Sequence, residues 1–191
     1  MGAAWKAIPA DLSNPTLSHR VLNLLDDMSN WGLKKHVIGE SDIFTITEQN
    51  EMYAHLNVNY LQLDKIPHFK DGWQSVLDAM RQGRFFVSTG EVLLPAFTVN
   101  GKGAGETAKI SIPGKAKITL SADWTFPLNF AEIVSGDGTK VYRERINLNT
   151  TQAFGKKQFE FLVNLKDRKW ARVELLDIAA NGAFTQPVWL E

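Results

Sequence analysis

The chain has 191 residues, 44% hydrophobic and 22% charged, an ordinary globular composition with room for one large or two small domains. Lys plus Arg and Asp plus Glu both total 21, and this balance, with no basic stripe, argues against nucleic-acid and membrane partners. Without cysteine there are no disulfides, thiolate metal sites or cysteine nucleophiles, and the compartment stays open; no run approaches the ~20 apolar residues of a membrane span, and the first ten residues lack the apolar core of a signal peptide.

Residues 1–13 read as an irregular lead-in. Asn14-Pro15 then opens a helix, Asn as N-cap and Pro at the first helical position. Leu17, Val21, Leu24, Leu25 and Met28 fall on one apolar face, and Gly32 suits the C′ position. Lys35-His36-Val37-Ile38-Gly39 is a short strand leading into Glu40-Ser41-Asp42. Thr47 caps a short helix through about His55, and Val58 to Leu63 is a further strand. Asp71 begins another helix, with capping-box spacing to Gln74, an apolar face of Trp73, Val76, Leu77 and Met80, and an end at Gly83. Arg84 to Thr89 is a buried-type strand broken by Gly90. Helix and strand alternate through residues 1–91, which predicts a parallel α/β segment.

Near Glu91 the period changes from helical to two. Val92 to Val99 is a strand stopped by Asn100-Gly101, and a short strand from Lys109 ends at Pro113-Gly114. Lys115 to Ala122 alternates cleanly, with Ala116, Ile118, Leu120 and Ala122 on its dry face. Strands at Leu128–Val134 and Val141–Leu148 flank the hairpin turn Gly136-Asp137-Gly138. Phe159 to Leu165, Trp170 to Ile178 and Phe184 to Leu190 complete an all-β, sandwich-like domain over residues 92–191. The junction is apolar throughout, so the two parts are expected to pack together.

Chemistry-bearing residues are sparse. His19, His36, His55 and His68 form neither a His-x-His pair nor an H-E-x-x-H motif, and each alone reads as structural. Asp42 follows a predicted parallel strand, where α/β enzymes place site residues, although a loop cap is the plainer role. Glu91 follows another strand end and is a second candidate, as an acid or base if it meets Asp42, or else as a solvated turn carboxylate. The glycine-rich stretch from Asn100 to Gly105 lacks the Lys-Ser/Thr and following helix of a phosphate loop. Trp124, Trp170 and Trp189 fall in the β part, where the core is their first expected place and a sugar-stacking face the second.

The order of segments resembles the polymerase-and-histidinol-phosphatase (PHP) superfamily of metal-dependent hydrolases. Lys35-His36-Val37-Ile38-Gly39-Glu40-Ser41-Asp42 is similar to the late strand that delivers an Asp to that family's metal cluster. The stretch from Gly72-Trp73 through Arg81-Gln82-Gly83-Arg84-Phe85-Phe86-Val87-Ser88-Thr89-Gly90 resembles its last helix and strand. Trp170 to Asp177 and Asn181 to Trp189 resemble the end of the β domain that often follows. The likeness runs over about residues 30–190. The family's early His-x-His ligands have no counterpart, and Phe44 stands where a His often follows the Asp.

The resemblance implies a partial PHP-like barrel followed by a β-sandwich: the C-terminal region of a phosphoesterase-like hydrolase, catalytically incomplete in this chain. Asp42 would be a metal ligand, to zinc or manganese, and the other ligands would come from missing sequence. Open sheet edges would favour pairing with another copy or with the remainder of a larger polypeptide. Two other readings stand beside it. One is a non-enzymatic binding module, for carbohydrate or protein, with exposed coplanar aromatics on one β face. The other is a purely structural domain with an apolar patch on its first part.

Overall fold

The computed structural model describes residues 21–39, 57–111 and 113–191. Its elements are α1 (Val21–Asn30), β1 (Val58–Leu61), a 3₁₀ turn (Phe69–Asp71), α2 (Gln74–Arg81), β2 (Phe85–Ser88), β3 (Val92–Val99), β4 (Thr107–Ala108), β5 (Lys115–Trp124), β6 (Leu128–Gly136), β7 (Val141–Asn147), β8 (Gly155–Asn164), β9 (Trp170–Asp177), β10 (Gly182–Thr185) and β11 (Val188–Leu190). Two sheets face each other. The smaller runs β3-β5-β8. In the larger, β9 is central: β6 and then β7 lie on one side. On the other side β10 leads to β2 and β1, while β11 leads to β4. Among the described strands only β11 and β4 pair in parallel.

Period-2 patterning builds the core. Ala116, Ile118, Leu120, Ala122 and Trp124 of β5 point inward, as their spacing predicts, and meet Ala171, Val173 and Leu175 of β9. Burying each large aliphatic side chain there contributes ~1.5–3 kcal/mol. The turns follow the chemistry of their residues. Asn100 and Gly101 take positive φ (48° and 81°), and Val99 and Lys102 exchange backbone bonds across them. Asp137 Oδ1 accepts from the backbone N–H groups of Thr139 and Lys140, so Gly136-Asp137-Gly138 is the expected hairpin turn.

The described residues do not form the predicted parallel α/β segment, and their strands make an antiparallel sandwich in place of the expected partial barrel. β1 and β2 pair antiparallel, Val58 opposite Ser88 and Leu61 opposite Phe85, and β2 pairs antiparallel with β10. They therefore extend the sandwich's larger sheet. Phe85-Phe86-Val87 misled because a strand covered on both faces is apolar throughout in either setting. Phe85 and Val87 lie in a cluster with Leu22 and Leu25 of α1, while Phe86 faces the sandwich core.

Lys35 to Gly39 is not a strand. Two side-chain carboxamides hold this segment instead. Gln186 Oε1 accepts from the Val37 N–H (3.0 Å) and its Nε2 donates to the Val37 carbonyl (2.8 Å); Asn59 treats Gly39 the same way, at 2.8 Å in both bonds. The backbone's polar groups are thus answered without a neighbouring strand.

Both described helices end as their glycines predict. The Leu33 N–H bonds Met28 O and the Gly32 N–H bonds Ser29 O, a Schellman cap with Gly32 at φ 77°. Arg84 and Gly83 repeat it on Ala79 and Met80. The faces differ from expectation. α1 buries Leu22, Leu25, Asp26 and Ser29, one stripe at i, i+3, i+4 and i+7, and leaves Leu24 half exposed. Asp71 does not start α2: its Oδ2 accepts from the His68 N–H and closes the 3₁₀ turn, and α2 begins at Gln74 without a side-chain cap. The last predicted strand is split into β10 and β11, which Gln186 and Pro187 separate.

Candidate functional site

Asp42, the metal-ligand candidate, lies outside the described residues, as do His19 and His55. His68 sits in the exposed 3₁₀ turn, where its Nδ1 accepts from the Lys70 N–H. Glu91 is half-buried where the chain passes from β2 to β3, and its carbonyl accepts from the Thr125 N–H at 3.0 Å. Among the described residues no three His, Asp or Glu side chains come together as a metal site requires. By themselves these described residues do not fit the zinc or manganese that the PHP resemblance implies.

Among the described residues the largest charged cluster lies under α1. On the outer face of β9, Arg172 and Glu174 are buried, and α1 lays Asp26 on them. Arg172 Nε donates to Asp26 Oδ1 at 2.7 Å, and Arg172 Nη1 lies 2.9 Å from Glu174 Oε1. Arg143 of β7 donates to Asp26 Oδ2 at 2.6 Å and to Glu132 Oε2 at 2.8 Å, and Arg145 donates to Glu132 Oε1 at 2.7 Å. Three carboxylates thus face three guanidinium groups. Burial pushes the Asp26 carboxyl up, against Arg172 and Arg143, which pull it down. Burial alone would lower the Arg172 pKa, but Asp26 and Glu174 override it and raise it. Every carboxylate is tied to arginine, so none is poised as an acid, base or ligand, and the cluster docks α1. Asn30 completes the seam: its Oδ1 accepts from Trp170 Nε1 at 2.9 Å and from the Gly138 N–H at 3.3 Å.

This network escaped sequence reasoning. Trp170 to Ile178 reads as one of the sandwich strands, with nothing local to mark Arg172 and Glu174 as buried. The available signal was Asp26 within one turn of Leu22 and Leu25, but its partners lie more than a hundred residues away.

Two clefts lie beside Asp123. The first, about 300 Å³, is lined by Tyr60 and Phe86, by Leu93, Pro95 and Phe97 of β3, and by Asp123. The Tyr60 and Phe86 rings stack with centroids 4.9 Å apart and planes 4° from parallel. The second cleft, about 250 Å³, shares the Leu93 and Asp123 walls and adds Glu91, Trp124, Phe154 and Lys156. Asp123 Oδ2 accepts from Lys156 Nζ at 2.9 Å. Gly155, opposite Trp124 in the β5–β8 ladder, has no side chain, which lets the indole lie across it.

The tryptophans do not form a sugar platform. Trp124, Trp170 and Trp189 are 7%, 0% and 6% exposed, and Trp124 Nε1 donates to the Gln152 carbonyl at 2.7 Å. Exposed aromatics lie elsewhere, at Phe69, Trp73 and Phe154 among others. Among the described residues no helix is long and apolar enough to cross a membrane. No family model, no curated protein and no solved structure matches this chain.

Proposed function

We propose that this chain is the β-sandwich-bearing part of a PHP-like metal-dependent hydrolase, without hydrolytic activity by itself, and that its α2 face seats against the catalytic part. The observation that carries the reading is the exposed apolar surface of the segment before β2. Ile66 and Phe69 are 91% and 90% exposed, Trp73 is 69% exposed, and Leu77 and Val58 are exposed as well. α2 buries only Ala79, although Trp73, Val76, Leu77 and Met80 give it an apolar stripe. An apolar surface of this kind marks an interaction site. The likeness of Trp170 to Asp177 and Asn181 to Trp189 to the β domain that often follows a PHP barrel supplies the occupant, an α/β hydrolase domain that brings the metal ligands Asp42 would join.

Two measurements test it together. Sedimentation of the isolated chain is expected to show concentration-dependent self-association, lost in Trp73→Glu with the circular dichroism unchanged. Calorimetric titration with Zn²⁺ and Mn²⁺ is expected to give no stoichiometric site in the wild type or in Asp42→Ala. A monomer at every concentration would show that the apolar face does not pair with a second copy and restrict its occupant to the catalytic part. Efficient, metal-dependent phosphoester hydrolysis by this chain alone would sink the non-catalytic assignment.

A further inference from the structure

We propose that the outer edge of β8 pairs antiparallel with the same edge of a second copy of this chain, about a two-fold axis at Gln158, and so joins two three-stranded sheets into one continuous sheet. This surface is separate from the α2 face, and the inference does not depend on the hydrolase reading.

β8 is an edge strand of ten residues, and β5 pairs with it along its whole length on one side. Among the described residues no strand pairs with its other side. The backbone groups on that side have a definite phase. The Lys117 N–H and carbonyl both bond Asn100, on the β3 side of β5. Leu162 stands opposite Lys117, so it turns its own N–H and carbonyl away from β5, and alternation does the same for Glu160, Gln158 and Lys156. A row of such groups is a template for another strand. The opposite edge of this sheet is blunted: the register of β3 shifts between Leu93 and Ala96, and Pro95 has no N–H to offer. β8 has neither a proline nor a register shift.

The exposed side chains of β8 select a second copy as the partner. Lys156 and Glu160 stand on its outer face, and each already holds an opposite charge on β5: Lys156 Nζ lies 2.9 Å from Asp123 Oδ2, and Glu160 Oε1 lies 2.6 Å from Lys117 Nζ. With the axis at Gln158, Lys156 of each copy stands opposite Glu160 of the other. The charges then alternate across the seam in the order Asp123, Lys156, Glu160, Lys117, the last two from the second copy, and opposite charges directly across strands attract. The same axis brings Phe154, just ahead of the strand, level with Leu162 of the second copy. These two side chains are 85% and 69% exposed, and the pairing covers both. Other axes do worse. At Lys157 or Phe159 they set Lys156 opposite Gln158 or Leu162, and at Lys156 or Glu160 they set like charges opposite each other. One axis thus satisfies the backbone phase, the charges and the apolar pair together, as a self-complementary two-fold interface requires.

Sedimentation equilibrium of the full chain carrying Trp73→Glu tests the edge alone, because that change removes association through the α2 face. This variant is expected to remain a dimer at micromolar concentrations. Adding Lys156→Glu or Glu160→Lys sets like charges across the seam, and each should weaken the dimer about tenfold. Mixed in equal amounts, these two variants should recover it, since the introduced carboxylate of one chain then faces the introduced ammonium of the other. Gln158→Cys, in a chain without other cysteines, should oxidise to a covalent dimer, its Cα lying about 5.5 Å from its copy. Lys166→Cys, exposed beyond the end of the strand, should not. Circular dichroism should show every variant folded. A Trp73→Glu chain that is monomeric at every concentration overturns the proposal. So does a mixture that associates no better than its separate components, or a Lys166→Cys chain that cross-links as readily as Gln158→Cys.

Discussion

The two described helices invert the usual relation between hydropathy and burial. α1 carries Asp26 and Ser29 on its buried face and docks through ion pairs and two leucines. α2 carries a cleaner apolar stripe, yet it buries only Ala79. The difference lies in what each helix meets. The outer face of β9 presents Arg172 and Glu174, which only a charged partner can cover at tolerable cost. The comparison teaches that an apolar face states a demand for cover, and that a buried charge states where the cover was found.

Removing the charge that α1 covers gives the largest expected effect. Arg172→Ala leaves Asp26 and Glu174 buried without their main cation, a loss of ~3–5 kcal/mol. Arg145→Ala removes a half-exposed partner of Glu132 and should cost under ~1 kcal/mol. Urea unfolding midpoints of the two variants measure the contrast. Equal losses would mean that the network acts as a diffuse surface cluster and not as a buried latch.

Leucines on the two helices extend the comparison to apolar groups. Leu25 of α1 is fully buried against Leu176 and Phe184, so Leu25→Ala should cost ~2–5 kcal/mol. Leu77 of α2 is 42% exposed, and Leu77→Ala should change stability by no more than ~0.5 kcal/mol. If Leu77→Ala is as damaging as Leu25→Ala, α2 is covered in solution and the docking face is already occupied.

The β part was legible because each of its rules is local. Alternation in Lys115 to Ala122 and the turn pairs at Asn100 and Asp137 need no distant partner to take effect. The first part was not legible for the opposite reason. Whether Phe85-Phe86-Val87 enters a barrel or a sandwich depends on β10, about a hundred residues on, which no local period encodes. Lys35 to Gly39 failed likewise: its backbone partners are the side chains of Asn59 and Gln186. Glu91 was singled out from the sequence, but its neighbours Asp123 and Phe154 come from separate strands and turns.

The smallest expected effect concerns the segment between the two helices. Burial lowers the His36 pKa below its ordinary value of 6.5, while a bond with the Arg81 backbone works the other way. The ring meets Phe85 edge-on at 6.3 Å and lies against Gly83, where no Cβ intrudes. As pH falls through 6.5 toward the lowered folded value, the unfolded chain takes up a proton that the folded chain resists, so stability drops. Above 6.5 this contribution is complete and flat. Asp26 and Asp177 have the opposite sign: burial raises both, so their contribution is present below 3.8 and lost as pH rises through the folded values. Those groups titrate in any His36 variant too, so they cancel in a difference. The unfolding free energy of the wild type minus that of His36→Gln should therefore fall as pH goes from about 7.5 to about 5. A flat difference would place the His36 ring in water, away from Gly83 and Phe85.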